Sequence, residues 1–189
     1  ARLLLYRDPL YLALRWTVVV HCLLVLVSMY GIAVLKYREN SGLIALGALF
    51  FSVFGITEIA RMLTVLGYLN PLRAQYLQTT DPALQQMIRY DLDHIGMVLT
   101  PMFLLFILAF ALGNLCYGLC LIGDKGTSRW LGAGFLAWSA FTLLAFFNAF
   151  WELSWVDHIV EVNNRFYQPV FRLVIGIWLL NSARKMRPG

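Results

Sequence analysis

Charge is scarce in this sequence, since only 13% of its 189 residues are Asp, Glu, Lys or Arg. A soluble domain of this length carries about a quarter charged residues. Hydrophobic residues make up 60% of the chain, and several apolar runs reach the ~20 residues with which a helix crosses a bilayer. The scarcity of charge therefore predicts that lipid is the main solvent of this chain.

Several other patterns are missing. Alternating segments of about ten residues, typical of membrane β-barrels, do not occur, so we expect helices, which satisfy every backbone group within the segment. The three cysteines, Cys22, Cys116 and Cys120, lie inside apolar runs and imply no disulfide framework. No Gly-rich phosphate loop, Ser-His-Asp order or CxxC pair is present. The net charge of +5 is spread over helix ends, which argues against a nucleic-acid partner.

The sequence predicts an all-α, polytopic membrane bundle that forms a single transmembrane domain over residues 1–189. We expect about five transmembrane helices and an interfacial amphipathic segment, with spans near 10–35, 42–69, 93–122, 129–151 and 155–183. A polar connection is predicted over 70–92, because Asn70-Pro71 and Asp81-Pro82 each resemble a helix cap followed by proline. The first part of the last span is amphipathic, and Pro169 predicts either a kink there or a turn into the membrane.

Basic residues are unevenly distributed over the predicted loops. Five spans place the termini on opposite sides, and the side that contains the C-terminus holds Lys36, Arg38, Lys125, Arg129, Arg184, Lys185 and Arg187. Because basic loops stay in the cytoplasm, the N-terminus is predicted to lie outside and the C-terminus in the cytoplasm. Most of the acids and two of the three histidines then fall on the outer side.

Polar residues from distant parts of the chain are predicted to converge in the outer half of the membrane. A charge at the centre of a membrane helix costs about 2.5–3.5 kcal/mol, so such residues should face protein or water. We predict a polar pocket whose ligand-binding residues are Glu58, Arg61, Asp91, His94, Asp157, His158, Glu161, Arg165 and Arg172. Glu58 and Arg61 are three residues apart on one helix face, so a purely structural ion pair is the competing interpretation.

Two spacings suggest a metal site. Asp91-x-x-His94 and His158-x-x-Glu161 each place two ligands on one helix face, as in di-iron carboxylate bundles. Together with Glu58, the residues His94, His158 and Glu161 would supply ligands for iron, and two histidines with one carboxylate would suffice for zinc. Neither pair is the usual Glu-x-x-His motif, so simple solvation at the membrane surface is the competing interpretation.

Three classes of function are compatible with these residues. The first is binding of an amphiphilic or charged small molecule, such as a lipid headgroup or a quinone-like ligand, with Arg61, Arg165 or Arg172 on its anionic group. The second is an accessory or structural subunit whose partners, besides the lipid bilayer, are other membrane subunits or further copies of the chain. The third is a metal-dependent membrane hydrolase or oxidase, so the sequence leaves both enzymatic activity and cofactor open. His21 is expected to pack in a helix interface, because bis-histidine haem needs a second histidine at similar depth.

Overall fold

A computed structural model describes residues 2–186. Within them the backbone is helical nearly throughout and contains no strand. A short 3-10 helix, Arg2–Arg7, precedes seven α-helices: α1 Pro9–Lys36, α2 Ser41–Thr64, α3 Asn70–Gln78, α4 Pro82–Ile122, α5 Thr127–Trp151, α6 Ser154–Val162 and α7 Gln168–Met186. One π-helical turn, Val65–Leu69, joins α2 to α3, and a second, Asn163–Tyr167, joins α6 to α7. The predicted all-α fold is therefore confirmed.

Membrane-spanning helices are also confirmed. Four helical stretches in the described part of the chain are long and apolar enough to cross a bilayer: Pro9–Lys36, Ser41–Gln78, Pro82–Ile122 and Thr127–Trp151. The fifth predicted span is helical too, but Gln168, Arg172 and Asn181 interrupt its apolar surface. Its passage through the membrane therefore stays a prediction, and so does the orientation of the termini. Arg187, one of the residues used to predict that orientation, lies outside the described residues.

The predicted polar connection over 70–92 is largely helical in the structure. The helix that contains the second predicted span continues through the first π turn to Gln78, and α4 already begins at Pro82. Within the range 70–92, only residues 79–81 lie outside helices. The polar residues of this connection therefore lie mostly on helices.

Asn70-Pro71 does not start a new helix, because the π turn lets the existing helix continue. In a regular helix the Pro71 ring would collide with the carbonyl group four residues earlier, and its missing N–H would break a hydrogen bond. The wider π turn directly before it provides room for the ring. Asp81-Pro82, by contrast, is the helix start that its sequence predicts, since Asp81 Oδ1 accepts a hydrogen bond from the Ala83 N–H at 2.9 Å.

The chain folds into two compact units. The first comprises the residues up to Leu24 and Gly55–Leu105, and the second comprises Val25–Phe54 and the described residues from Phe106 onward. Helices α1, α2 and α4 each contribute residues to both units. The single transmembrane domain stays a prediction.

The first unit is built around α2, α3 and the first half of α4. The 3-10 helix packs against α3, and Met62, Leu69 and Ile88 are buried apolar residues of its core. Two polar side chains, Glu58 and Asn70, are buried in this unit as well. Buried polar groups usually have hydrogen-bond partners, so the side chains that surround Glu58 and Asn70 are the first place to look for polar contacts in this unit.

The core of the second unit is a connected set of aromatic rings. Tyr117 lies between Phe51 and Phe135, with ring centroids 5.1 and 5.9 Å away. Phe171 contacts Phe135 at 5.2 Å and Trp138 at 5.5 Å. These rings meet edge to face, a geometry worth about 0.5–1.5 kcal/mol per pair beyond the area buried. The apolar side chains thus fix the mutual orientation of α2, α4, α5 and α7 within this unit.

In the second unit, two hydrogen bonds reach from one candidate membrane-spanning helix to the backbone of another. The Tyr117 hydroxyl donates to the Met29 carbonyl at 2.9 Å, and the Ser139 hydroxyl donates to the Ala111 carbonyl at 2.9 Å. All three of the elements involved, α1, α4 and α5, are candidate spans. Such bonds tie membrane helices together where lipid supplies no competing partner.

Gly132 allows α5 to pack directly on the end of α4. A Cβ atom at this position would lie 2.5 Å from the Ile122 backbone nitrogen and 2.7 Å from the Leu121 carbonyl carbon. We expect Gly132→Ala to lower the unfolding temperature in mild detergent, because overpacking against an immobile backbone costs about 1–3 kcal/mol.

Gly176→Ala on α7 is the matched control, since no heavy atom lies within 4 Å of its added Cβ. This change should be neutral or raise stability by up to about 1 kcal/mol, the helix propensity gained by alanine. Tryptophan fluorescence during heating measures both variants. Equal effects of the two substitutions would contradict the close α4–α5 contact.

Candidate functional site

Glu58 and Arg61 form a two-pronged ion pair on α2. Arg61 Nε donates to Glu58 Oε2 and Arg61 Nη2 donates to Glu58 Oε1, both at 2.7 Å. Glu58 is only 4% exposed, and the guanidinium carbon of Arg61 lies 5.3 Å from the centroid of the Phe103 ring. Each charge is neutralised by the other, so these contacts favour the structural interpretation of the pair.

A second polar group surrounds Tyr11 in the first unit. Arg73 on α3 donates through Nη1 to the Tyr11 hydroxyl at 3.2 Å and to Asn70 Oδ1 at 3.0 Å. The guanidinium carbon of Arg15 lies 4.9 Å from the centroid of the Tyr11 ring, and Arg15 Nη1 lies 3.8 Å from the Met62 sulfur. We call Tyr11, Arg15, Asn70 and Arg73 the arginine cluster.

Neither arginine of this cluster is paired with an acid. Over the part of the chain that the structure describes, no carboxylate lies within ion-pair distance of Arg15 or Arg73. Both side chains are half-buried. A tyrosine ring and neutral acceptors stabilise a guanidinium but do not cancel its charge. The arginine cluster therefore carries two uncompensated positive charges beside a membrane-spanning helix.

Arg73 also lines a cavity of about 690 Å³ in the first unit. The cavity lies among the 3-10 helix, α3 and the first turns of α4, and its lining mixes apolar with charged side chains. The lining residues are Leu3, Leu69, Arg73, Tyr76, Arg89, Leu92, Asp93, Ile95 and Gly96. Small-molecule sites occupy about 300–1,000 Å³ and combine apolar walls with a few polar groups. The cavity is half open, and its volume falls within this range.

Arg89 is a second cation in the cavity wall. Its Nε lies 3.9 Å from Asp93 Oδ2, and the two side chains are 73% and 72% exposed. An exposed pair at this distance contributes about 0–1 kcal/mol. Arg89 can therefore turn from Asp93 toward a bound anion at little cost.

The predicted residues Asp91 and His94 are sequence neighbours of lining residues on α4, but neither of them lines the cavity. His94 Nδ1 lies 2.7 Å from the Tyr90 carbonyl oxygen, and its ring stacks on the Tyr90 ring with centroids 3.7 Å apart. Asp91 is half-buried. The interactions of His94 within its own helix account for its position without a metal or ligand.

Four predicted site residues lie on α6 and the second π turn, in the second unit. Asp157 Oδ1 accepts a hydrogen bond from Asn148 Nδ2 at 2.8 Å. Glu161 Oε1 lies 3.7 Å from Arg165 Nη1, and both side chains are about two-thirds exposed, at 66% and 70%. His158 is exposed as well. This is the surface of an amphipathic helix, as its sequence predicts.

Arg172 is the last of the predicted site residues. Its Nη2 donates to Gln168 Oε1 at 2.9 Å, and its guanidinium carbon lies 5.4 Å from the centroid of the buried Trp138 ring. Glu58, Arg61, Asp91 and His94 thus belong to the first unit, whereas the other five belong to the second. The convergence of all nine in one pocket stays a prediction.

Metal ligation receives no added support. Among residues 2–186, no three His, Cys, Asp or Glu side chains lie close enough together to hold a metal ion. The predicted ligands His94 and Glu58 lie in the first unit, and His158 and Glu161 in the second. An iron or zinc site stays a prediction, which elemental analysis of the purified protein tests.

The arginine cluster and the cavity are not apparent from the sequence. Arg73 looks like an ordinary basic residue of a loop, and Asn70 looks like a helix cap. Their spacing of three places both on one helix face, but that signal counts only once α3 is known to be helical. Tyr11 and Arg73 are 62 positions apart, so only the folded chain reveals their contact.

Comparison with protein-family models, curated proteins and solved structures finds no match to this chain. The fold and the composition define its class instead. The chain is an all-α, multi-pass integral membrane protein.

Removing one partner of the buried ion pair should destabilise the protein strongly. In Arg61→Met the Glu58 carboxylate stays behind, 4% exposed and without its partner. We expect a loss of about 3–5 kcal/mol, measured as a lower unfolding temperature in mild detergent. The double variant Glu58→Gln with Arg61→Met should recover much of the loss, since no charge is then buried.

Arg165→Met is the control for this experiment. Its partner Glu161 is 66% exposed, so losing the pair should cost less than about 1 kcal/mol. If Arg61→Met is as mild as Arg165→Met, the Glu58–Arg61 pair is not a buried structural interaction.

Proposed function

We propose that this integral membrane protein binds an amphiphilic small molecule with an anionic end in the cavity of the first unit. The observation that carries the proposal is the position of Arg73. It lines the cavity, yet among the described residues it bonds only to the neutral oxygens of Tyr11 and Asn70. A ligand with a negative charge would supply the missing partner.

The charge balance of the cavity supports an anionic ligand. Its charged lining residues are Arg73, Arg89 and Asp93, which leaves one excess positive charge. Arg15 adds a further uncompensated cation next to Tyr11. In a site of low polarity a charge-assisted hydrogen bond contributes about 1.5–3 kcal/mol. Such a bond would favour binding of the anion, and the bound anion would in turn stabilise the folded protein.

The apolar part of the lining supports an amphiphile over a free anion. Leu3, Leu69, Leu92 and Ile95 border the same space as the two arginines. The hydrocarbon chain of an amphiphile can pack against such a wall, whereas a free anion would leave it uncovered.

A lipid headgroup fits this charge pattern better than a quinone. Both ligands offer oxygen atoms that accept hydrogen bonds from arginine. Only an anionic headgroup also has a formal negative charge, and this charge would compensate the positive charge of Arg73. The site is therefore assigned to an anionic amphiphile.

Native mass spectrometry of the purified protein tests the proposal. The protein in mild neutral detergent is mixed in turn with phosphatidylglycerol, oleate and uncharged diacylglycerol, and the bound fraction is measured. We expect retention of the two anionic amphiphiles and weak retention of diacylglycerol. Arg73→Gln should weaken anionic binding by roughly 10–100-fold, which corresponds to one charge-assisted hydrogen bond.

Arg38→Gln is the matched control, because Arg38 is an exposed loop residue outside the cavity. It removes the same charge and should leave binding unchanged. Equal retention of all three amphiphiles, or equal effects of the two arginine substitutions, would overturn the proposed function.

A further inference from the structure

The hydrogen bond between Asn70 and Arg73 fixes the orientation of the Asn70 side-chain amide. Its Oδ1 accepts a hydrogen bond from Arg73 Nη1 at 3.0 Å. An amide nitrogen could not accept that bond, so the oxygen must face Arg73 and the orientation of the side chain is settled. Asn70 Nδ2 is then left without a hydrogen-bond partner among the described residues, although the residue is only 6% exposed.

A buried donor without an acceptor is unusual in a folded protein and calls for an explanation. The two terminal atoms of the amide share one carbon atom, so Nδ2 lies close to the guanidinium group that Oδ1 contacts. Asn70 does not itself line the cavity, but an anion bound to the Arg73 guanidinium would lie next to this donor. One bound anion would therefore accept a hydrogen bond from Asn70 Nδ2 and also compensate the charge of Arg73.

Donors outnumber acceptors throughout the arginine cluster. The hydroxyl of Tyr11 already accepts a bond from Arg73, so its own hydrogen is available to a further acceptor. Arg73 uses only Nη1 in its hydrogen bonds to described residues, and its Nε and Nη2 groups retain their donors. Arg89 contributes another donor group from α4.

These donors belong to three different helices, α1, α3 and α4. A carboxylate has two oxygens in one plane, which suit a single guanidinium fork. A phosphate has oxygens at the corners of a tetrahedron and so accepts hydrogen bonds from several directions. The donors of the arginine cluster together with Arg89 on α4 therefore match phosphate better than carboxylate.

We infer that the anionic end of the ligand is a phosphate group, held by Arg73, Asn70 Nδ2 and Arg89. The inference rests on the proposed function and narrows it from anionic amphiphiles to phosphate-bearing lipids. Phosphate could reach the site as a lipid headgroup or as the free ion. The apolar residues of the cavity favour the headgroup.

Asn70→Asp is the sharpest test. The substitution preserves the shape of the side chain, replaces the orphan donor with an acceptor, and places a carboxylate beside Arg73. The built-in anion should neutralise Arg73, raise the unfolding temperature of the ligand-free protein, and exclude phosphate. Binding of phosphatidic acid, measured by native mass spectrometry in mild detergent, should fall at least about tenfold.

Asn40→Asp is the control, because it makes the same chemical change in an exposed loop. Asn40 precedes α2, and its Oδ1 accepts a weak bond from the Leu43 N–H at 3.4 Å. Aspartate serves equally well at such a position, so binding should be unchanged. Tyr11→Phe is a second, milder variant. It removes only the hydroxyl group and should weaken the binding of phosphatidic acid by a few-fold.

Three ligands separate the outcomes for the wild-type protein: phosphatidic acid, oleate and inorganic phosphate. Tighter binding of phosphatidic acid than of oleate, with loss in Asn70→Asp, supports the inference. Equal binding of the two amphiphiles overturns it and leaves the proposed function standing. Binding of inorganic phosphate as tight as that of phosphatidic acid overturns the lipid source, and no Arg73-dependent binding of any amphiphile overturns both proposals.

Discussion

The hydrocarbon core of a bilayer offers no hydrogen bonds, and this constraint governs where the chain places its polar groups. Five hydroxyl and amide side chains within the spans bond to the carbonyl group one turn earlier in their own helix. The residues that do so are Thr17, Ser52, Thr64, Asn114 and Thr142. Glu58 follows the same principle, since its partner Arg61 lies one turn away on the same helix. Local partners thus satisfy part of the hydrogen-bonding capacity of these helices before the helices pack together.

Prolines are accommodated in a related way in both units. Each π turn ends two residues before a proline, at Leu69 before Pro71 and at Tyr167 before Pro169. In each case the residue between them carries an amide, and this amide accepts a hydrogen bond from an arginine further along the helix. The pairs are Asn70 with Arg73 and Gln168 with Arg172. The wide turn admits the proline ring, and the amide holds the arginine close to its own helix.

Much of the fold can be predicted from the sequence, but little of the candidate site can. Apolar runs and one i,i+3 charge pair are local signals, so the all-α membrane fold and the Glu58–Arg61 contact follow from them. The continuity of α2 and α3 does not, because a π turn leaves no mark in the sequence and Pro71 suggests a break. The contact of Arg73 with Tyr11 depends on the packing of two distant helices. No local pattern encodes this contact.

Arg61 and Arg73 differ in their pairing, and this difference separates a structural cation from the one that we propose to bind a ligand. Both are half-buried arginines of the first unit, on consecutive helices. Arg61 meets both oxygens of a carboxylate, so an added anion would have to displace Glu58 and leave it unpaired and buried. Among the described residues Arg73 meets only the neutral oxygens of Tyr11 and Asn70, so an added anion would relieve a charge that no acid there compensates. The same residue type therefore resists a ligand in one place and favours it in the other, because an uncompensated charge is the costlier state in surroundings of low polarity.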